Sequence, residues 1–409
     1  MSENPNNQVW LLSHSYLPAR GGIENYLREV SRFLLALGYH PAVICRGGPG
    51  LAAEEVIEGT RVIRHPDFPV PRAKLFSKHL YLAGQIAGWL KESPYCRTGW
   101  ALSRYPHYQY ALSALDGRCP GIYLPAAIWP ALAPLSAAAG GWKERFFELF
   151  WRRQVTFLER ESLRRADRVM VFSENLRSQI ERYHSIEPRN ILINPPGVDT
   201  VRFQPRPPDR DRLLSLNIDP GKPRILFLGR FSPEKNLLFL LQALRPLLQG
   251  SRCCLLLAGD GPLRPTLEKE IRRRRLEASV RLMPPPGRPE DIYSLGDIFV
   301  SPSNYESFGQ TILEAMASGL PVVARKSSPP KVLTAAEEII EDGRSGYAVS
   351  EDPEDLRTKI EELLPSPAFR EELGRRGREI CRERFRWEKH VNNLLEPFNQ
   401  RDRDNARGH

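Results

Sequence analysis

Ser301-Pro302-Ser303-Asn304-Tyr305-Glu306-Ser307-Phe308-Gly309-Gln310-Thr311-Ile312-Leu313-Glu314 reads as the passage from a buried strand into a helix. The apolar run 298–300 leads into it. Ala315, Met316 and Ala317 continue the helical pattern until Gly319 and Pro321 stop it, and a second strand follows at Val322-Val323-Ala324. A strand, a glycine turn and a helix in this order aim free backbone N–H groups and the positive helix end at whatever lies above the strand, which suits a phosphate. Glu306 and Glu314 bracket seven residues and can grip hydroxyls on either side of that phosphate. Sugar hydroxyls, diphosphate and ribose diol have this layout in a nucleotide sugar. An isolated pair of glutamates, however, also fits an ordinary surface helix, so the other motifs must decide.

Outward from this segment the chain alternates strands and helices, the pattern of parallel sheets with crossover helices. Strands are expected at 9–12, 42–45, 60–64, 121–124 and 169–172, then at 225–228, 254–258, 280–283, 298–300, 322–324 and 347–349. The stretch 24–37 is a helix with Leu27, Val30, Leu34 and Leu37 at core spacing and Gly38 as its stop. Ser173 is placed to cap a helix over 175–183, and 387–398 is a further helix. The proline-rich stretch 205–211 is the expected linker. A length of 409 residues accommodates two domains, each with a full core.

Composition narrows the class. The 6 Cys include no C-x-x-C, and Cys253-Cys254 lie side by side in an apolar strand, as buried thiols of a reducing compartment would. The N-terminal residues are polar and carry no basic signal region, which points to a cytoplasmic protein. The uncharged stretch 119–142 is long enough to span a bilayer. Pro120, Pro125, Pro130 and Pro134 would remove hydrogen bonds that lipid cannot replace, so a short strand and a long apolar loop are expected instead. The net charge of +10 comes with no nucleic-acid-binding signature. The segment 142–153 mixes aromatic and basic residues and fits either a peripheral contact with an anionic membrane or a core helix. Asp209-Arg210-Asp211 and Asp402-Arg403-Asp404 have a metal-binding D-x-D spacing, but neither follows a strand, so no metal site is expected.

Further motifs stand in sequence on either side of the opening segment. The strand 9–12 runs on to Pro18-Ala19-Arg20-Gly21-Gly22-Ile23-Glu24. Asn194-Pro195-Pro196-Gly197-Val198-Asp199 is followed by Phe203 and Pro205. The strand 225–228 runs into Gly229-Arg230-Phe231-Ser232-Pro233-Glu234-Lys235-Asn236, and Gly259-Asp260-Gly261-Pro262 closes the next strand. In this order they resemble the family 4 retaining glycosyltransferases of the group 1 type, from residue 9 to beyond Gly346.

The resemblance implies an α/β GT-B fold: two Rossmann-like domains whose parallel sheets face across a donor cleft. It implies an acceptor-side domain at 1–204, rejoined by a helix at about 387–400, a nucleotide-sugar-binding domain at 205–386, and a frayed tail at 401–409. Arg230 and Lys235 match the family pair that clamps the diphosphate, the alternative being a surface ion pair with Glu234. Gly22, Ser307, Phe308, Gly309, Gln310 and Thr311 complete the donor contacts, with backbone amides at Gly22, Gln310 and Thr311, and Glu314 takes the ribose. Glu306 faces the sugar, orienting its hydroxyls or stabilising the cationic carbon. The implied partners are a nucleotide-diphosphate sugar as substrate and a glycan or lipid-linked acceptor, without cofactor, metal or nucleic acid, at the cytoplasmic face of a membrane.

Two departures bear on the sugar and acceptor pockets. Many members carry a His after a first-domain strand, where this chain has Ile122-Tyr123-Leu124-Pro125-Ala126-Ala127. His14 and His107 are candidates to replace it, with Glu24 and Pro125 as further acceptor-side candidates. The family's Gly-Gly-x-x-Glu is replaced by Lys326-Ser327-Ser328-Pro329-Pro330-Lys331. A nucleotide-sugar 2-epimerase or a non-catalytic partner subunit would share the phosphate motifs. The Glu306–Glu314 pattern favours sugar transfer in polysaccharide or glycolipid assembly.

Overall fold

The computed structural model describes residues 7–19, 21–136, 142–187 and 191–407, with the side chains of 134–136, 142–149 and 400–407 outside that description. The chain divides into two compact units. One comprises Met1–Ala133, Ala139–Pro195 and Trp387–His409, the other Pro134–Ala138 and Pro196–Arg386.

The first unit is built on β1 (Gln8–Leu12), β2 (His40–Arg46), β3 (Glu54–Ile57), β4 (Thr60–His65), β5 (Trp100–Ser103), β6 (Gly121–Tyr123), β7 (Arg168–Val171) and β8 (Ile191–Ile193). They lie in the order β3-β4-β2-β1-β5-β6-β7-β8, and only the β3–β4 pair is antiparallel. Strands such as β1, whose Val9, Leu11 and Leu12 are fully buried, are apolar in succession because helices cover both faces of a parallel sheet. The strand order reverses between β1 and β5, which opens a crevice at the carboxyl ends there.

The helix Gly22–Ala36 buries Leu27, Val30 and Leu34 as its spacing requires. Leu37, expected in the core, is 51% exposed: it is the C-cap, and Gly38 turns the chain at φ 80°. Ser173 Oγ accepts from Leu176 N at 3.1 Å and starts the helix Glu174–His184. The expected loop after β6 is in part the helix Trp129–Ser136. Pro130 is its second residue, where a missing N–H costs nothing. Among the described residues no helix is long and apolar enough to cross a membrane. The C-terminal helix Trp387–Arg407 stacks Phe398 on Trp100 at 4.6 Å and sets His390 Nε2 2.8 Å from the Tyr26 hydroxyl. It runs through the tail expected to fray, since no Gly or Pro stands between Pro397 and Gly408 to stop it.

The second unit has six parallel strands, β9 (Arg224–Leu228), β10 (Cys254–Ala258), β11 (Val280–Met283), β12 (Ile298–Ser301), β13 (Val322–Arg325) and β14 (Gly346–Val349). Their order, β11-β10-β9-β12-β13-β14, reverses between β9 and β12. The expected linker at 205–211 packs here instead. Arg378 donates to Thr200 O and Phe203 O at 2.9 Å each, and Pro205 Cγ would lie 2.9 Å from a Cβ placed on Gly319. Asp209, from one D-x-D, caps the helix Arg210–Ser215 by accepting from Arg212 N at 2.9 Å. The division between units therefore falls at Pro195/Pro196. All six cysteines are buried and free, and burial pushes the Cys253 and Cys381 thiols up to about 12.

Candidate active site

In the second unit the two loops that flank the reversal of strand order are tied together. After β9 come Gly229 and the exposed Arg230, then Phe231, which is buried and anchors the loop through its N–H to Asp260 O at 2.8 Å. Gly259, at φ 143°, is held so close to this loop that a Cβ would sit 1.9 Å from Gly229 O, so only glycine fits. The loop ends in a short turn, Pro233–Lys235. The loop after β12 crosses it. Asn304 N donates to Glu234 O at 2.7 Å, and Asn236 Nδ2 to Asn304 Oδ1 at 3.1 Å.

This crossing sets Lys235 Nζ 2.6 Å from Glu306 Oε1, and Ser303 Oγ donates to the same oxygen at 2.8 Å. The expected alternative, an ion pair of Lys235 or Arg230 with Glu234, does not form. The Glu234 carboxylate is taken by Ser232 Oγ, and Arg230 has no ion pair among the described residues. Glu306 keeps 15% of its side-chain surface exposed. Gly309 adopts φ 119° at the N-cap and starts the helix Gln310–Ala317, whose first N–H groups, at Gln310 and Thr311, have no intrahelical acceptor. Gln310 Nε2 donates to Gly197 O at 3.1 Å, which ties the helix start to the Pro196–Val198 turn. Phe308 is buried against Phe385. Glu314, one helical turn further and 8% exposed, accepts from the Tyr293 hydroxyl at 2.7 Å. Burial and the Glu314 carboxylate push that phenol well above its usual range.

Arg230, Lys235, Glu306, Ser307, Phe308, Gly309, Gln310, Thr311 and Glu314 thus all lie on the second unit, while Gly22, His14, Glu24, His107 and Pro125 lie on the first. Gly22 opens the helix Gly22–Ala36. His14 and His107 line one cavity of about 730 Å³ at the carboxyl ends of β1, β2, β4 and β5. Glu24 and Pro125 do not line it. Glu24 is buried beside Gly21 and accepts from Ser15 Oγ, and Pro125 is buried. The cavity also takes His65, His79 and Arg104, which the sequence reading missed. Arg104 follows β5, a four-residue strand that was not recognised, so nothing marked it as a strand-end residue. His79 Nδ1 and His107 Nε2 are 3.0 Å apart. Burial pulls His79 down to about 4 and His107 down to about 3, with neighbouring positive and imidazole groups adding to the effect. The described residues contain no group of three or more His, Cys, Asp or Glu placed for a metal ion.

Two α/β units, each with a largely parallel sheet whose strand order reverses, form the GT-B fold of solved glycosyltransferases. Over residues 20–202 the chain matches the family model described as Glycosyltransferase Family 4, and over 214–380 the one described as Glycosyl transferases group 1. The chain belongs to this glycosyltransferase family. It is 27% identical to a D-inositol 3-phosphate glycosyltransferase of Rhodococcus opacus, over 95% of this chain and 84% of that protein. It is 28% identical to an alpha-maltose-1-phosphate synthase of Mycolicibacterium smegmatis over 59% of this chain, a match that spans 65% of the relative's length. The solved sucrose-phosphate synthase of Thermosynechococcus elongatus superposes with a TM-score of 0.76 at 22% identity, covering 96% of this chain and 98% of that one.

Proposed function

We propose that the chain transfers a glycosyl group from a nucleotide-diphosphate sugar, held on the second unit, to an acceptor hydroxyl, with retention of configuration and without a metal ion. The observation that carries this reading is the placement of Lys235, Glu306 and the start of the helix Gln310–Ala317 together at the carboxyl ends of β9 and β12. Cleavage of the bond between the anomeric carbon and the diphosphate oxygen leaves the electron pair on the phosphate. Arg230 and Lys235 absorb that charge, aided by the helix N–H groups, with charge-assisted contacts contributing about 1.5–3 kcal/mol each. Glu306 orients the sugar hydroxyls and offsets positive character at the anomeric carbon, and Glu314 accepts from the ribose diol. The acceptor proton passes to the departing phosphate oxygen as the new carbon–oxygen bond forms on the same face. The first unit supplies the acceptor side.

The acceptor belongs to glycan or glycolipid assembly and is met at an anionic membrane surface on the cytoplasmic side. Support comes from Phe76 and Phe150, 51% and 36% exposed and edge-to-face at 5.6 Å, beside exposed Lys74 and Arg72. Part of the segment 142–153 on which this partner was expected lies outside the described side chains. Incubation with a panel of nucleotide sugars, reading nucleotide release with and without acceptors, tests the function. Acceptor-stimulated release supports transfer, and binding without turnover overturns it.

A further inference from the structure

Asn304, in the loop after β12, is bonded to the loops after β9 and β13 on either side of it. Toward β9, its N–H donates to Glu234 O at 2.7 Å and its Oδ1 accepts from Asn236 Nδ2 at 3.1 Å. Toward β13, its carbonyl accepts from Leu333 N at 2.7 Å, and Oδ1 takes a second bond from Arg325 Nη1. Leu333 O in turn accepts from Glu306 N at 2.9 Å. Ser303 and Glu306, whose side chains are bonded to each other, thus project from a segment that is held at Asn304.

Arg325 ends β13 and is 4% exposed. Its guanidinium lies 4.6 Å from the ring centroid of Phe239, on the helix Leu237–Ala243, and its Nε has no hydrogen-bond partner. It forms no ion pair among the described residues. Glu351, whose charge acts on it, is taken by Ser328 Oγ at 3.1 Å and by Lys331 Nζ at 3.6 Å. A buried cation without a carboxylate is costly, and an apolar residue of the same length would pack on Phe239 without that cost. What the arginine adds is a charge-assisted bond to Asn304 Oδ1, about twice as strong as a neutral one and aimed by a planar group that the ring holds in place. The loop behind it closes on itself. Thr334 Oγ1 donates to Arg325 O at 2.7 Å, and Ser328 pairs with Val332 in an antiparallel bridge. This turn contains Lys326–Lys331, the stretch that departs from the family's Gly-Gly-x-x-Glu.

We propose that Arg325 is a positioning residue for sugar transfer: through Asn304 it fixes the segment that carries Ser303 and Glu306, and with it the approach of the Glu306 carboxylate to the donor sugar. The assignment rests on the second unit being the donor side of a transferase. None of the bonds at Asn304 uses the Glu306 carboxylate, so the clasp persists when a donor replaces the contact between Lys235 and Glu306.

The test compares wild type with Arg325→Met, Arg325→Lys, Asn304→Ala and Arg325→Met/Asn304→Ala, all in the whole chain. Calorimetric titration with UDP, ADP and GDP reads the diphosphate contacts, and nucleotide release from UDP-glucose, ADP-glucose and GDP-mannose gives kcat. Arg325→Met should lower kcat by about tenfold to a hundredfold, the loss expected for displacing a reacting group by about 1 Å, while diphosphate affinity changes by less than about threefold. Arg325→Lys should recover part of kcat. The double variant should be no slower than Asn304→Ala, because Arg325 acts through that side chain. Losses that add in the double variant, or a kcat that falls only as far as diphosphate affinity does, overturn the proposal. If Arg325→Met fails to fold, Asn304→Ala reads the same split, and a kcat within about threefold of wild type overturns it. Diphosphate binding without turnover in wild type removes the transfer reading instead. The crystal structure of Arg325→Lys or Asn304→Ala then decides: a displaced Glu306 supports the positioning role, and an unchanged 2.6 Å contact between Lys235 Nζ and Glu306 Oε1 overturns it.

Discussion

Lys235 Nζ donates to Glu306 Oε1 at 2.6 Å, joining the loop after β9 to the loop after β12 across the reversal of strand order. Without ligand, the cation assigned to the diphosphate thus rests on the carboxylate assigned to the sugar. On the proposed reading, donor binding would exchange this ion pair for contacts of Lys235 with the diphosphate and of Glu306 with the sugar.

Replacing both Arg230 and Lys235 by Ala should lower kcat/KM by about two to four powers of ten. Circular dichroism should show an unchanged fold, because Arg230 is exposed and Lys235 is bound to Glu306 rather than to the core. Steady-state kinetics of the folded double variant checks this, and near-wild-type values would remove both residues from the site.

Glu314→Ala should weaken nucleotide-sugar binding by about tenfold to a hundredfold, the range expected for losing hydrogen bonds to a charged group. Tyr293→Phe removes the 2.7 Å hydrogen bond that orients this carboxylate and should raise KM by a smaller factor with kcat nearly unchanged. Calorimetric titration with the nucleotide and initial-rate kinetics separate the two effects.

The sheets and much of the second unit were legible in the sequence because their strands are continuous apolar runs, and β10 and β11 match the expected bounds. The strands β3, β5 and β8 were not. β3 is polar and half exposed, while β5 (Trp-Ala-Leu-Ser) and β8 (Ile-Leu-Ile) are apolar but only four and three residues long, too short for a period to be read. The donor-side residues follow strand ends and were assigned through the resemblance of their motifs to the family. Arg104, Ser303 and Tyr293 could not be placed, since their positions depend on which loops the topology brings together. The linker was misplaced because proline density marks stiffness, and Pro205 packs on Gly319 rather than bridging units.

Acid should destabilise the first unit. His79 is held at about 4, and His107 and His390 at about 3, chiefly by burial, against an unfolded value of 6.5. The unfolded chain therefore binds more protons below pH 6.5. The stability from keeping these rings neutral is fully present above that pH and is lost as pH falls toward 4 and 3. Melting temperatures from pH 7 to 4.5 should fall, and the fall should be shallower in His79→Gln/His107→Gln. An identical slope in the double variant would exclude these two rings as its source.

Sedimentation with anionic vesicles should carry the protein down at low salt and release it at 1 M salt, where the Debye length is about 3 Å. Phe76→Ser/Phe150→Ser should reduce the bound fraction severalfold without lowering the melting temperature, because both rings are exposed. Equal sedimentation with neutral and anionic vesicles, or none with either, would remove the anionic surface as a partner.

The most direct measurement is proton NMR of the glycoside formed from an α-linked nucleotide sugar in the presence of EDTA. An α-anomeric product, formed at a rate unchanged by the chelator and lowered by about two to four powers of ten in Arg230→Ala/Lys235→Ala, is the predicted result. A β-anomeric product, or turnover that returns only with added divalent cation, would contradict a retaining transfer driven by protein cations at the carboxyl ends of β9 and β12.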